Sequence, residues 1–289
     1  MSNILAVGIA TVDIVNTVKD YPQEDDELRA VNQTVRRGGN ATNSLVVLSQ
    51  LGHQCAWAGV IADDIYASVI RRDLTMCTIV MDWVVEATNS VSPVSCITLN
   101  EANGSRTIVH YRDLPEYSFA DFSRINLSGF DWLHFEGRNV GQTLSMLRLV
   151  HSSCTVPISI EIEKPRDDIE SLYEFADILF FSRVFVRHLG YDSAEPFLKA
   201  MHLRYPQIEH YCAWGEVGAY AVDRDGVLHF ADIPSSVKVL DSIGAGDVFN
   251  AAVINAKINQ LSCSDSLRRG SQLATKKCAQ YGFDGLVEG

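Results

Sequence analysis

The chain has 289 residues, 47% of them hydrophobic, with 24 basic against 36 acidic side chains and a formal net charge of -12. That length suits one large α/β domain or two modest ones with a sizeable core, and the scattered acidic excess argues against nucleic acid as a partner. No run approaches the roughly 20 apolar residues of a membrane span. The start, Met1-Ser2-Asn3-Ile4, lacks the basic region and cleavage pattern of a signal peptide, so a cytoplasmic protein with no membrane partner is expected. Seven widely separated cysteines with no C-x-x-C pair give zinc and dithiol readings little support. They are expected to be reduced thiols, and no residue is assigned as a metal ligand.

In chain order, residues 4–15 form an apolar, β-branched run that predicts one buried strand. A more polar stretch over 17–36 predicts exposed strands outside the core. Asn40-Ala41-Thr42-Asn43 then opens a helix that stops at Leu51-Gly52, where glycine supplies the left-handed turn. A strand over 54–61 and a helix over 65–76 follow, then a hairpin over 94–111 turning at Asn103-Gly104. Strands at 131–136, 157–163 and 177–182 alternate with helices at 141–152 and 167–175 and with further helices through 204. A strand at 209–214 leads to a hairpin turning at Asp225-Gly226, and helices at about 246–258 and 265–281 close the chain. Repeated β-then-α units predict an α/β fold, a mostly parallel sheet covered on both faces. Residues 1–289 read as a single domain, with segments 17–36 and 94–111 as a small lid.

The strongest chemical signal is Gly244-Ala245-Gly246-Asp247 at a helix start. Unpaired N–H groups there carry the positive end of the helix dipole and suit a phosphoryl group. Asp247 in the first turn is placed to accept the proton of an incoming hydroxyl. A glycine turn capped by Asp is also a common way to begin a helix. The motif is neither a P-loop nor a dinucleotide fingerprint, since Phe249 occupies the last glycine position, so an NAD-linked oxidoreductase is disfavoured.

A second signal lies near the other end of the chain. Asp13 is expected near the end of the first strand, where α/β sheets bind ligands. Asn40 and Asn43, three apart on one helix face, can aim both amides at one polyol. As alternatives, Asn40 caps a helix and Asp13 sits in a turn.

Together, Gly38-Gly39-Asn40 and Asp241 to Asp247 resemble the ribokinase-like (PfkB) family of carbohydrate kinases. Longer segments are similar to a ketohexose-phosphorylating branch of that family. They include Arg106-Thr107-Ile108-Val109, Glu136-Gly137-Arg138-Asn139, Glu163-Lys164-Pro165-Arg166, Cys212-Ala213-Trp214 and Lys276-Lys277-Cys278. The resemblance implies a three-layer sandwich with a small β lid. It further implies ATP-dependent phosphorylation of a ketohexose, fructose to fructose 1-phosphate, with Asp247 as base and the amides of Gly244, Ala245 and Gly246 as anion hole. It places Asp13, Gly39, Asn40 and Asn43 on the sugar, and Arg106 on sugar or phosphate. Glu216, Gly218 and Cys278 would flank the nucleotide, with Arg183 near its phosphates. Mg2+ would bridge the β- and γ-phosphates, and a monovalent cation such as K+ would sit near the Asp241 loop. The lid would clasp a second copy in a homodimer, each copy lending Asp25 to its partner's pocket.

The chain departs from the family pattern at several points. Ser242 stands where Thr is usual, Arg183 replaces a Lys, and no Asn-x-x-Glu motif lies near Ser182. His110-Tyr111-Arg112-Asp113, which borders the sugar on this reading, is one residue shorter than its counterpart. Two alternatives stay open, a kinase of another sugar or a nucleoside and a catalytically silent sugar sensor.

Overall fold

The computed structural model describes residues 1–233 and 237–287. The first half runs β1 (Asn3–Val7), β2 (Thr11–Val18), β3 (Asn32–Gly38), α1 (Asn40–Gln50), β4 (Gln54–Ala62), α2 (Ile65–Met76) and β5 (Val80–Ala87). It continues through β6 (Val91–Asn100), β7 (Arg106–Asp113), α3 (Phe119–Phe122), β8 (Trp132–Glu136) and α4 (Val140–Ser153). Next come β9 (Ile158–Ile162), β10 (Ile178–Ser182), α5 (Arg183–His188), α6 (Ala194–Arg204) and β11 (Glu209–Ala213). The chain ends with β12 (Ala219–Val222), β13 (Leu228–Ala231), α7 (Ala245–Ile258) and α8 (Cys263–Cys278).

Nine strands form the large sheet, in the order β13-β12-β11-β10-β9-β8-β1-β4-β5. All its pairings are parallel except those of β12 and β13. The central strands β1, β4, β8 and β9 are almost wholly buried, as their continuous apolar sequences require of a sheet covered on both faces. One core packs α4, α5 and α6 against one face, and a second packs α1, α2, α7 and α8 against the other. This is a three-layer sandwich, as the resemblance implies.

A second sheet of four strands, ordered β3-β2-β6-β7, stands beside it. The apolar run 4–15 is therefore not one strand. It breaks after Val7, and the chain crosses from the large sheet into the small one before Thr11. Gly8 makes the crossing possible, because a Cβ there would collide with the Glu136 carboxylate and with Ala41. Since both strands bury their side chains, hydrophobicity carries no mark of the break. Asp13 consequently lies within the small sheet rather than at the end of the first large-sheet strand. The small sheet also reaches beyond segments 17–36 and 94–111, starting at Thr11 and Val91. The helix expected over 167–175 is a 3-10 segment, Ile169–Phe175, and β5 was not anticipated.

Candidate active site

The two sequence motifs meet where α1 packs on α7. Gly244 precedes α7 with a φ of 75°, a left-handed turn, and the Phe283 ring lies where its Cβ would be. Asp247 follows in the first turn and is 6% exposed. Its Oδ2 accepts a 2.6 Å hydrogen bond from Nδ2 of Asn43. Asn43 Oδ1 in turn accepts from Nη1 of the buried Arg37 at 2.6 Å, which fixes the orientation of the amide. Asn43 thus spends its oxygen on Arg37 and one donor on Asp247. A Cβ on Gly246 would meet no protein atom within 4 Å, so this turn of backbone faces open space suited to an anion.

Asn40 is in the first helical turn, with Gly39 (φ 105°) as the residue before the helix, so it is not the cap. Its Nδ2 donates to Glu161 Oε2 at 3.1 Å and to Glu163 Oε2 at 3.3 Å. The amides of Asn40 and Asn43 therefore meet different carboxylates. Glu136 completes the acidic wall, its Oε1 accepting from the backbone N–H of Ile9 (3.0 Å) and of Ala41 (2.8 Å). Burial raises the Asp247 carboxyl above the ordinary carboxylate range, opposed by the Asn43 hydrogen bond and reinforced by the charges of Glu163 and Glu136. Burial raises Glu161 as well, with the Asp247, Glu163 and Glu136 charges adding to it. These three glutamates and Arg37 are site neighbours to which the sequence reading gave no role. Their signal was present for Glu136 and Glu163, which open the Glu-Gly-Arg-Asn and Glu-Lys-Pro-Arg segments.

Asp13 lies on the small sheet with its carboxyl raised by burial against the Thr11 and Ser95 hydrogen bonds. Thr11 Oγ1 donates to its Oδ1 at 3.0 Å. Arg106, at the start of β7, donates from Nη1 to Ser242 Oγ at 2.7 Å, bringing a guanidinium to the loop before α7. Arg183 pairs with Glu216 (Nη1 to Oε2, 3.1 Å) across the turn that precedes β12. Gly218 has a φ of 134° and presses on the Ala231 carbonyl, where a Cβ would collide. Beside it runs a groove lined by Phe230, Ala231, Asp232, Arg268, Ser271 and Thr275, a lining that sequence reading did not single out. Cys278 closes α8, and its carbonyl accepts from Leu240 N at 2.7 Å, anchoring the chain that leads to Asp241. Asp25 is exposed in the loop between β2 and β3.

Asp241 is fully buried. Its Oδ2 meets Arg36 Nη2 at 3.0 Å and Lys277 Nζ at 3.1 Å, and its Oδ1 accepts from Ile243 N at 2.9 Å. Burial opposes its charge, but Arg36 and Lys277 outweigh that and hold the carboxyl below its usual range. Two cationic side chains thus already pair with this carboxylate. Among the described residues no group of three or more His, Cys, Asp or Glu is arranged to hold a metal ion, and no helix is long and apolar enough to cross a membrane.

Residues 1–287 match the profile described as pfkB family carbohydrate kinase. The chain is 38% identical over 293 residues to ketohexokinase from Mus musculus, covering 98% of each chain. An adenosine kinase from Sinorhizobium meliloti superposes with a TM-score of 0.82 at 17% identity, over 99% of this chain and 98% of that one. Arabidopsis thaliana ribokinase, solved with ribose and ATP, superposes with a TM-score of 0.79 at 19% identity, over 97% and 94%. The profile match over nearly the whole length shows that the chain belongs to the pfkB family of carbohydrate kinases.

Proposed function

We propose that this chain transfers the γ-phosphoryl group of ATP to the primary hydroxyl of a ketohexose, converting fructose to fructose 1-phosphate. The observation that carries the reading is the 2.6 Å bond between Asn43 and Asp247, which joins the polyol-type motif to the anion-type motif in one pocket. The similarity to the mouse ketohexokinase favours a ketohexose as acceptor.

On this reading Asp13, Gly39 and Asn40 hold the sugar, while Asn43 orients the base. Asp247 accepts the proton as the acceptor oxygen bonds to the γ-phosphorus. The bond from that phosphorus to the β,γ-bridging oxygen breaks, and ADP leaves. The N–H groups of Gly244, Ala245 and Gly246 stabilise the migrating charge. Arg106 neutralises it from the small sheet, and the groove beside Gly218, reaching towards Cys278, takes the nucleoside, with Arg183 and Glu216 at its rim. Mg2+, when bound, would supply charge neutralisation on the phosphates, and Glu161 and Glu163 would be the oxygen donors to its waters.

The four-stranded sheet acts as the lid of a single domain. Its outer face presents Val35, Val109 and Tyr111, all exposed, and this surface suits a second copy in a homodimer that receives Asp25. A cytoplasmic setting fits the seven unpaired cysteines.

Asp247→Asn is the direct test. It is expected to lower kcat about 10²–10⁴-fold, the usual worth of a positioned base, while sugar affinity by calorimetry stays within a few-fold. Near-normal turnover would sink the assignment. In the parent protein kcat/KM should fall as pH drops through the raised Asp247 pKa, since protonation removes the acceptor.

A further inference from the structure

His110 lies on the inner face of β7, in the segment that the sugar reading sets beside the sugar without assigning any residue a contact. Inward positions on this strand alternate as Arg106, Ile108, His110 and Arg112, because side chains on one face recur every second residue. The register across the small sheet puts Arg36, Asp13, Ser95 and His110 in one row on one face. The next row on that face holds Val15 and Ile97, which pack on Ile243 of the loop before α7, so the face looks into the cleft. Arg106 at one end of the strand touches that loop through Ser242.

Ser95 links His110 to Asp13. Its Oγ is 3.2 Å from His110 Nδ1, and the register sets Ser95 beside Asp13 on the neighbouring strand. The Nδ1 hydrogen bond leaves Nε2 as the free ring nitrogen, with no hydrogen-bond partner among the described residues. Burial lowers the basicity of the ring. Lys164, Arg138 and Arg112 push the same way and Asp13 opposes them, so the neutral form is favoured.

We propose that His110 is a specificity-determining residue for the acceptor sugar, its Nε2 hydrogen-bonding a sugar hydroxyl neighbouring the one held by Asp13. Ser95 is the positioning residue that holds the ring through Nδ1. The chemistry recognised is a polyol with adjacent hydroxyls, one on Asp13 and the next on His110. The inference rests on the sugar-kinase reading above and adds to it a residue that reads the acceptor.

The test is steady-state kinetics on His110→Leu and His110→Gln with fructose and a series of monodeoxyfructoses. His110→Leu should raise the fructose KM about tenfold, the loss of roughly 1.4 kcal/mol, with kcat within threefold and the ATP KM unchanged. One deoxysugar should be penalised in the parent protein but not in His110→Leu, which identifies the hydroxyl. Fructose added to the parent protein should also shift the His110 Nε2 15N resonance, a readout that needs no variant to fold. Ser95→Ala should leave that ring in a mixture of tautomers. Parent protein without fructose turnover would overturn the function reading. Parent turnover with an unchanged fructose KM in His110→Leu, and no resonance shift, would overturn the role of His110 alone.

Discussion

Asp247 is costly to keep charged where it lies, and on the proposed mechanism that cost makes it a stronger base. Its pKa is raised by burial, so the folded state holds a proton that the unfolded chain releases, and stability falls with rising pH between the two values. Gly246 shows a related trade at one atom. Nothing in the protein occupies the space a Cβ would fill there, and in the first turn of a helix Gly→Ala stabilises by roughly 0.4–1 kcal/mol. Gly246→Ala is therefore expected to raise the melting temperature slightly while weakening ATP binding or turnover at least tenfold. Thermal denaturation alongside ATP kinetics checks this, and unchanged kinetics would show that the space is not used. Asp247 and the glycines were legible in the sequence because helix starts have a residue signature. The Arg37 support behind Asn43 was not, since a buried Arg meeting an amide six residues on carries no periodic pattern.

Among the elements, the large-sheet strands and the helices that cover them were readable from apolar runs bounded by glycine. The first run was misread because β1 and β2 are both buried and only Gly8 marks the crossing between sheets. The loop before α7 is fastened at this scale by Asp241, with Arg36 from β3 and Lys277 from α8. Lys277 is fully buried and also donates to the Asp241 carbonyl at 2.9 Å. Removing one partner of a buried pair costs about 3–5 kcal/mol, and here Arg36 remains. Lys277→Met is thus expected to cost about 3 kcal/mol in urea denaturation. Because the folded-state pKa of Asp241 is depressed, its contribution is present above the unfolded value and is lost as pH falls through the folded one. With Lys277 gone the folded-state pKa rises, so acid unfolding should begin at a higher pH than in the parent. An unchanged acid limb would show that Lys277 does not govern this carboxylate.

For the molecule as a whole, the small sheet has one face in the cleft and one face outside. The cleft face carries Asp13, His110 and Arg106, while the outer face leaves Val109 70% exposed beside Tyr111, with Val35 exposed on the opposite edge strand. On the dimer proposal, Val109→Glu should convert a protein sedimenting at twice the chain mass into a monomer. A parent protein sedimenting as a monomer would remove the proposal. The proposed pairing draws on resemblance, because exposed strands with polar neighbours look alike in sequence whether they face water or another subunit.

The bond between Asn43 and Asp247 spans 204 positions of the chain, and α7, which packs against α1, follows the last strand of both sheets in the sequence. During synthesis Asn43 therefore leaves the ribosome long before Asp247. A nascent chain that ends before α7 has every described strand of both sheets but lacks Asp247 and Gly246. On the proposed mechanism phosphoryl transfer becomes possible only with the last two helices, and truncations just short of Asp247 are expected to be silent however well the rest folds.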